Sequence, residues 1–382
     1  MDTLIIRNGI LVDAESGISR RGDLAVEGNR IRAVGTVISG NAVSEIDASG
    51  CYVTPGLIDH HTHIYPLASM GISGEGGCFG AGVTTAVDAG STGCETFENH
   101  RSWMKGNKLE IKSYVNVCST GLSSLPEAME DVDPEHMDPD RLAELFAACG
   151  KELLGLKLRT SRAIVGRQGL LPLKAAVKLG EKLEIPLMVH ITDPPAPVEE
   201  LLKYLRPGDI VTHMYQNTRY SILDRERVSD AVWAARERGI LFEAADSRAH
   251  FSFEVAEAAI KDGFYPDLMG TDITRLSMHL RPTAFNMAMQ VSKYTELGIP
   301  FPKVIGIAAW SNAVNLKISD RVGSLRPGKQ ADIAVFRPAW KVNLYGDRPN
   351  RDPAQALRKG TMIYEPVLTV KNGEMVYRNV TF

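Results

Sequence analysis

Eight short apolar runs rich in β-branched residues recur along the middle of this chain, most of them separated by stretches long enough to carry a helix. That alternation restricts the fold more than any other feature. The runs are Val53–Asp59, Val83–Asp88, Ile111–Val117, Leu153–Leu158, Leu187–Ile191, Ile210–His213, Ile240–Ala244 and Leu268–Asp272. Parallel strands covered on both faces read as near-continuous apolar segments, and crossover helices set this spacing. Eight such strands suit a closed (β/α)8 TIM barrel, although an open doubly wound α/β sheet accommodates the same count. No Gly-x-Gly-x-x-Gly follows the first run, which argues against a dinucleotide-binding sheet. Apolar residues at helical spacing over Pro139–Cys149, Leu171–Leu183 and Ser229–Arg238 supply crossovers.

Both chain ends read differently. Leu4–Ile6, Ile10–Val12, Asp23–Val26 and Ile31–Val34 are short strands separated by breakers such as Asn8-Gly9 and Glu27-Gly28-Asn29. Asp332–Phe336, Val367–Val370 and Met375–Tyr377 repeat the pattern, with Asn372-Gly373 as a hairpin signal. Neither end is large, so pairing them into one small composite β-sandwich is the economical arrangement. The expected division is 1–54 and 318–382 for that β domain and 55–317 for the barrel. The glycine-rich stretch Gly71–Gly82 reads as a flexible loop beside the first barrel strand.

At 382 residues with 44% hydrophobic content, the chain can bury a sizeable core. Its 43 Lys+Arg against 46 Asp+Glu give a net charge of −3, with no basic block suited to a phosphate backbone, so nucleic acid is not an expected partner. The five cysteines form an odd set without a Cys-x-x-Cys pair, which points to reduced thiols and a cytoplasmic setting. No run approaches membrane-spanning length and the first residues lack a signal-peptide pattern, so no membrane association is expected. A small-molecule substrate and a homo-oligomeric state are the remaining expectations about partners.

Chemistry concentrates at the strand ends. Val53-Thr54-Pro55-Gly56-Leu57-Ile58 runs into Asp59-His60-His61-Thr62-His63, and alternation along a strand puts His61 and His63 on one face. Neutral imidazole is the commonest metal ligand, and such a pair needs only distant partners to form a catalytic site; exposed strand ends carry the same spacing. His190 and His213 each end their own run, and Asp272 ends another. In a barrel these ends form one rim, where ligands converge. Lys157 lies inside Leu153-Leu154-Gly155-Leu156-Lys157-Leu158-Arg159, where an ammonium is costly unless paired or chemically changed. A carbamate formed with CO2 would turn it into a carboxylate-like group able to bridge two cations, whereas a lysine that snorkels to solvent would do nothing. Asp272 has three readings: metal ligand, general base, or cap of the following helix. Two divalent cations roughly 3.5–4 Å apart and bridged by hydroxide would give a nucleophile at neutral pH, with Asp272 accepting its proton.

Taken together, Pro55-Gly56-Leu57-Ile58-Asp59-His60-His61-Thr62-His63, Gly82-Val83-Thr84-Thr85 and Gly323-Ser324-Leu325-Arg326-Pro327-Gly328-Lys329-Gln330-Ala331-Asp332 resemble motifs of the amidohydrolase superfamily over essentially the whole chain. The resemblance implies a (β/α)8 barrel with a composite β-sandwich. It also implies a two-metal ligand set, usually zinc, of His61, His63, carboxylated Lys157, His190, His213 and Asp272. The lysine favours the dihydroorotase-like branch over the purine and cytosine deaminases. Val189-His190-Ile191-Thr192-Asp193-Pro194-Pro195 and Ile222-Leu223-Asp224 are similar to a subgroup whose members go under the names dihydroorotase, adenine deaminase or deacetylase, some of which hydrolyse acetylated α-hydroxy acids. This chain departs from the subgroup after Ala245, where Asp246-Ser247-Arg248-Ala249-His250-Phe251 replaces a Gly-His-Gly turn.

Several residues are placed to read a substrate. Arg159 follows Lys157 by two, so its planar fork shares the inward face and can clamp a carboxylate, or pair with a nearby acid. Arg248 and His250 on the divergent loop, and His279 beyond Asp272, can reach the site from above, or simply be solvated. Tyr215 can donate to a developing oxyanion or serve as a wall residue. His60 is expected to point away from its neighbours, His100 and His136 to lie on the surface, and Cys78 to be structural. Three functions stand: a binuclear hydrolase of an amide or ester bond in a small carboxylate-bearing molecule (an N-acyl amino acid, an acetylated hydroxy acid or a cyclic amide), a mononuclear deaminase of a heterocycle, and a catalytically silent binding protein.

Overall fold

In a computed structural model, residues 2–279, 286–347 and 356–382 are described. The N-terminal strands are β1 (Asp2–Asp13), β2 (Ile18–Glu27), β3 (Arg30–Gly35), β4 (Ala42–Asp47) and β5 (Tyr52–Pro55). The middle carries β6 (Leu57–Thr62), β7 (Val83–Ala89), β8 (Glu110–Asn116), β9 (Leu153–Arg159), β10 (Leu187–His190) and β11 (Ile210–Thr212). A small hairpin, β12 (Leu223–Asp224) and β13 (Arg227–Val228), precedes β14 (Leu241–Ala245) and β15 (Leu268–Gly270). The chain finishes with β16 (Ile333–Gly346), β17 (Leu357–Lys371) and β18 (Glu374–Arg378).

Eight parallel strands run in the order β15-β14-β11-β10-β9-β8-β7-β6. The seam between β15 and β6 is drawn together by Asp272 N–H donating to the His61 carbonyl (2.7 Å) and His63 N–H to that of Ile273 (3.1 Å). The result is a nearly closed TIM-like barrel. Asp59 secures the same seam, its carboxylate accepting from the Thr271 amide at 2.9 Å and hydroxyl at 2.7 Å. Gly270 makes the approach possible, because a Cβ there would lie 2.4 Å from the His61 nitrogen. Crossover helices form where expected: in Pro139–Cys149 the Asp138 side chain caps the Arg141 amide, proline occupies the first turn, and Leu142, Leu145 and Cys149 are buried at helical spacing.

Both ends join one sheet in the order β18-β17-β16-β5-β1-β2-β3, with β4 paired to β1. β5 is the joint, parallel to β1 and antiparallel to β16 with Val53 opposite Val335. Beneath this sheet Leu4, Ile6, Leu24, Val26, Val53, Ile333 and Val370 form a core of their own.

Three expectations are corrected. The run Val53–Asp59 is not one strand: it breaks at Gly56, whose amide donates to the Asp332 carbonyl (2.8 Å) while Leu57 N–H turns to Gly82. A Cβ at Gly56 would sit 2.3 Å from the Thr84 hydroxyl, so glycine is required where the chain leaves one sheet for the other. The breaker Asn8-Gly9 makes a bulge inside a single long β1, with Asn8 at φ 61°, rather than a turn between two strands. Gly71–Gly82 contains the short helix Gly74–Cys78 and a 3-10 turn, Phe79–Ala81, with Cys78, Phe79 and Ala81 buried. All five cysteines are free and buried, and among the described residues no helix is long and apolar enough to cross a membrane.

Candidate metal centre

The barrel rim gathers imidazole, carboxylate and amine groups from different strands. His61 lies in β6 and His63 just beyond it, Lys157 lies in β9, His190 ends β10, His213 follows β11 and Asp272 follows β15. His213 (φ 67°) and Asp272 (φ 52°) occupy the left-handed region, so the backbone turns at the residue that presents the side chain. Nε2 of His63 lies 3.1 Å from Asp272 Oδ1, and Nε2 of His61 lies 3.6 Å from the same oxygen. Lys157 Nζ reaches 3.2 Å from His61 Nε2. Donor atoms of His61, His213 and Asp272 form one group close enough to share an ion, and those of His190, His213 and His250 another. They face a cavity of about 160 Å³ also lined by Arg159, Met70, Leu122 and Leu276.

Outer hydrogen bonds fix how several of the rings face that cavity. His61 Nδ1 meets Glu243 Oε2 at 2.8 Å, His63 Nδ1 meets the Ser91 hydroxyl at 2.9 Å, and His213 Nδ1 donates to the Ala245 carbonyl at 2.6 Å. Each contact leaves Nε2 for the centre, the arrangement by which proteins orient metal-ligating histidines. His190 meets Ser161 Oγ through Nε2 at 3.1 Å. His60, expected to point away from its neighbours, joins this scaffold: its Nδ1 lies 2.5 Å from Glu243 Oε1 and its Nε2 2.8 Å from Asn315.

Burial lowers the pKa of His61, and of His190 and His213 well below the usual imidazole value, so all three are neutral, as ligands must be. Burial also drives Lys157 down to about 8; among the described residues it has no carboxylate partner at ion-pair distance. Burial opposes ionisation of Asp272, but the His63 hydrogen bond and the surrounding imidazoles prevail and hold it well below the ordinary carboxylate range. Neutral nitrogens and one anion therefore converge on one cavity beside a buried amine of lowered pKa, a donor set that suits divalent cations.

The other singled-out residues divide. Arg159 lines the cavity, one guanidinium nitrogen held at 2.5 Å by Glu130, whose other oxygen accepts from Asn116 at 2.8 Å. His250 lines it too. Tyr215 does not: it is buried, and its hydroxyl donates to the Phe264 carbonyl, away from the rim. Arg248 also turns aside, its Nε donating to the Asp347 carbonyl. His279 ends the 3-10 turn Ser277–His279, and its side chain lies outside the described residues. His136 is on the surface, but His100 is fully buried, stacked on Trp103 and edge-on to Tyr65. Glu243, Glu130, Ser91, Ser161 and Thr192 were not anticipated. For Glu243 the signal was an acid inside the apolar run Leu241–Ala245; Glu130 sits in polar loop sequence that marks nothing.

A TIM-like barrel whose strand ends converge such donors defines a metal-dependent hydrolase. The chain belongs to the amidohydrolase family, whose profile matches residues 52–376. It is similar to a deacetylase of Agrobacterium fabrum, 34% identical over 93% of this chain and 86% of the relative. A Brucella anthropi deacetylase is also 34% identical, over 80% and 76%. Among solved structures, an adenine deaminase superposes with a TM-score of 0.88 at 27% identity over 99% of this chain and 100% of that one. A dihydroorotase does so at 0.87 and 29%, over 98% and 99%.

Proposed function

We propose that this protein hydrolyses the acyl C–N or C–O bond of a small carboxylate-bearing molecule, using two divalent cations. The observation that carries the reading is the convergence of His61, His63, His190, His213 and Asp272 on one cavity with Lys157 buried among them. His61, His63 and Asp272 would hold one cation, His190 and His213 the second, and a carbamate on Lys157 would lie between. Zinc suits a donor set of imidazole and carboxylate. The fit rests on neutral imidazoles oriented by outer partners and on an amine that reacts with CO2 once its proton has left. When bound, the cations supply Lewis acidity to the scissile carbonyl and bring proton loss from water to neutral pH.

Asp272 takes the proton of the attacking water through the oxygen not engaged by His63 and returns it to the departing amine or alkoxide, so the acid and the protonated leaving group are the products. Arg159, its fork steadied by buried Glu130, directs its free donors at the substrate carboxylate. The apolar side chains of Met70, Leu122 and Leu276 leave room for a small acyl group. Relatives named deacetylase support an acetyl substituent there.

The test is turnover of N-acyl amino acids, O-acyl hydroxy acids and cyclic amides by protein loaded with Zn²⁺ and bicarbonate. Hydrolysis that chelation abolishes and Lys157→Ala removes is expected. Activity indifferent to chelator would overturn the reading. Release of ammonia from a heterocycle by a Lys157→Ala protein of near-normal activity would establish a mononuclear deaminase instead.

A further inference from the structure

We infer that His250 is a direct ligand of the second cation, completing with His190 and His213 a three-imidazole site. The inference rests on the two-cation reading above and adds to it a residue outside the six-member ligand set.

Donor atoms of His190, His213 and His250 all lie within 4.8 Å of one another. The rings pack with centroids 4.4 Å apart for His190 and His213, 4.9 Å for His190 and His250, and 4.4 Å for His213 and His250. Thr192 Oγ1 holds His250 Nδ1 at 2.8 Å, which leaves Nε2 toward the centre. That Nε2 lies 3.5 Å from Asp272 Oδ2, long for a hydrogen bond.

The segment that delivers His250 is firmly built. It turns through Ser247 (φ 39°) and Arg248 (φ 59°), a conformation that needs external support. Asp246, at its start, is buried and receives the Lys293 ammonium and, at 2.9 Å, the Tyr294 hydroxyl, both from the helix Met287–Glu296. Ser247 N–H donates to the Thr271 carbonyl at 3.0 Å, tying the turn to the segment that carries Asp272. The Asp246–Lys293 pair and the Tyr294 hydroxyl hold the start of the turn, and the turn brings the His250 imidazole to His190 and His213. Three neutral imidazoles form a complete protein donor set for a catalytic zinc with one open position. The second cation therefore has a holding site that does not depend on the lysine carbamate.

Titration of metal-free protein with Co²⁺, read by visible absorption and by competition with a chelator, tests this. Two equivalents are expected in the unaltered protein, and His250→Ala should weaken one of them roughly tenfold or more, with an altered ligand-field spectrum. Lys157→Ala should keep a cation that the double variant Lys157→Ala/His250→Ala loses. Unchanged affinities and spectrum in His250→Ala would overturn the inference. If that variant does not fold, proton NMR of the Co²⁺-loaded unaltered protein decides. Exchangeable hyperfine-shifted N–H signals from His61, His63, His190, His213 and His250 support it, and the absence of the His250 signal refutes it. Should the unaltered protein bind only one Co²⁺, the two-cation reading falls; the role of His250 then stands if its removal releases that ion and falls if it does not.

Discussion

Burial of the Lys157 amine destabilises the metal-free protein whenever that amine is protonated. In an unfolded chain lysine titrates near 10.5, whereas burial lowers Lys157 to about 8 in the folded state. Between these values the unfolded chain binds a proton that the native state has released, so stability rises with pH across that window. Below about 8 both states are protonated and the penalty is complete, on the order of 3 kcal/mol at 1.36 kcal/mol per unit. Metal-free Lys157→Met should therefore be the more stable protein at pH 7 by about that amount, with the advantage shrinking toward pH 10. Urea unfolding at several pH values measures it, and parallel curves for the two proteins would contradict the assignment. At the cavity wall, Arg159→Met should raise KM for carboxylate-bearing substrates roughly tenfold to a hundredfold, with a smaller effect on kcat. Steady-state kinetics against an uncharged analogue, whose KM should not move, checks the cause. The histidines and Asp272 could be read from sequence because each closes an apolar run. Partners such as Glu130 could not, since only folding brings that loop to Arg159. His100 misled for a related reason: its neighbours Glu98, Asn99, Arg101 and Ser102 are polar, yet Trp103 and the distant Tyr65 enclose it.

Strands that stand side by side in a parallel barrel need little beyond apolar β-branched sequence, which is why their positions could be read directly. Their exact ends depend on neighbours. The break at Gly56 is set by Thr84 and Asp332, and the absence of a side chain at Gly270 is set by His61, none of which is local. Gly270→Ala should push β15 from β6 and lower stability by about 1–3 kcal/mol, as overpacking does. Metal affinity should fall with it, because the displaced segment carries Asp272 while its neighbour carries His61 and His63. Thermal melts with and without Zn²⁺ would show both effects, and a variant with normal melting and normal metal uptake would contradict them. β4 and the long outer halves of β16 and β17 escaped the sequence reading because they mix polar and apolar residues without strict alternation.

Across the whole molecule the end sheet and the barrel share surfaces rather than meeting at a linker. Phe301, on the helix Phe301–Ile305, stacks on Tyr364 with centroids 4.2 Å apart and packs tilted against Tyr52 at 4.6 Å, joining that helix to β5 and β17. The Thr369 hydroxyl donates to the Phe79 carbonyl at 2.7 Å, and Phe336 packs under Gly82. Unfolding should accordingly be a single transition, with circular dichroism and tryptophan fluorescence coincident and the calorimetric enthalpy equal to the van't Hoff value. Two resolved transitions would show that the lobes melt separately. That both termini belong to one sheet was legible from their shared strand-rich texture; how tightly that sheet seats on the barrel was not, since the contacts join residues hundreds of positions apart. The joint at Gly56 has a mechanical corollary. With one residue between the strand gripped by β1 and β16 and the strand that bears His61 and runs into His63, any twist imposed on the outer sheet is transmitted like torque along a short shaft to the imidazoles at its far end.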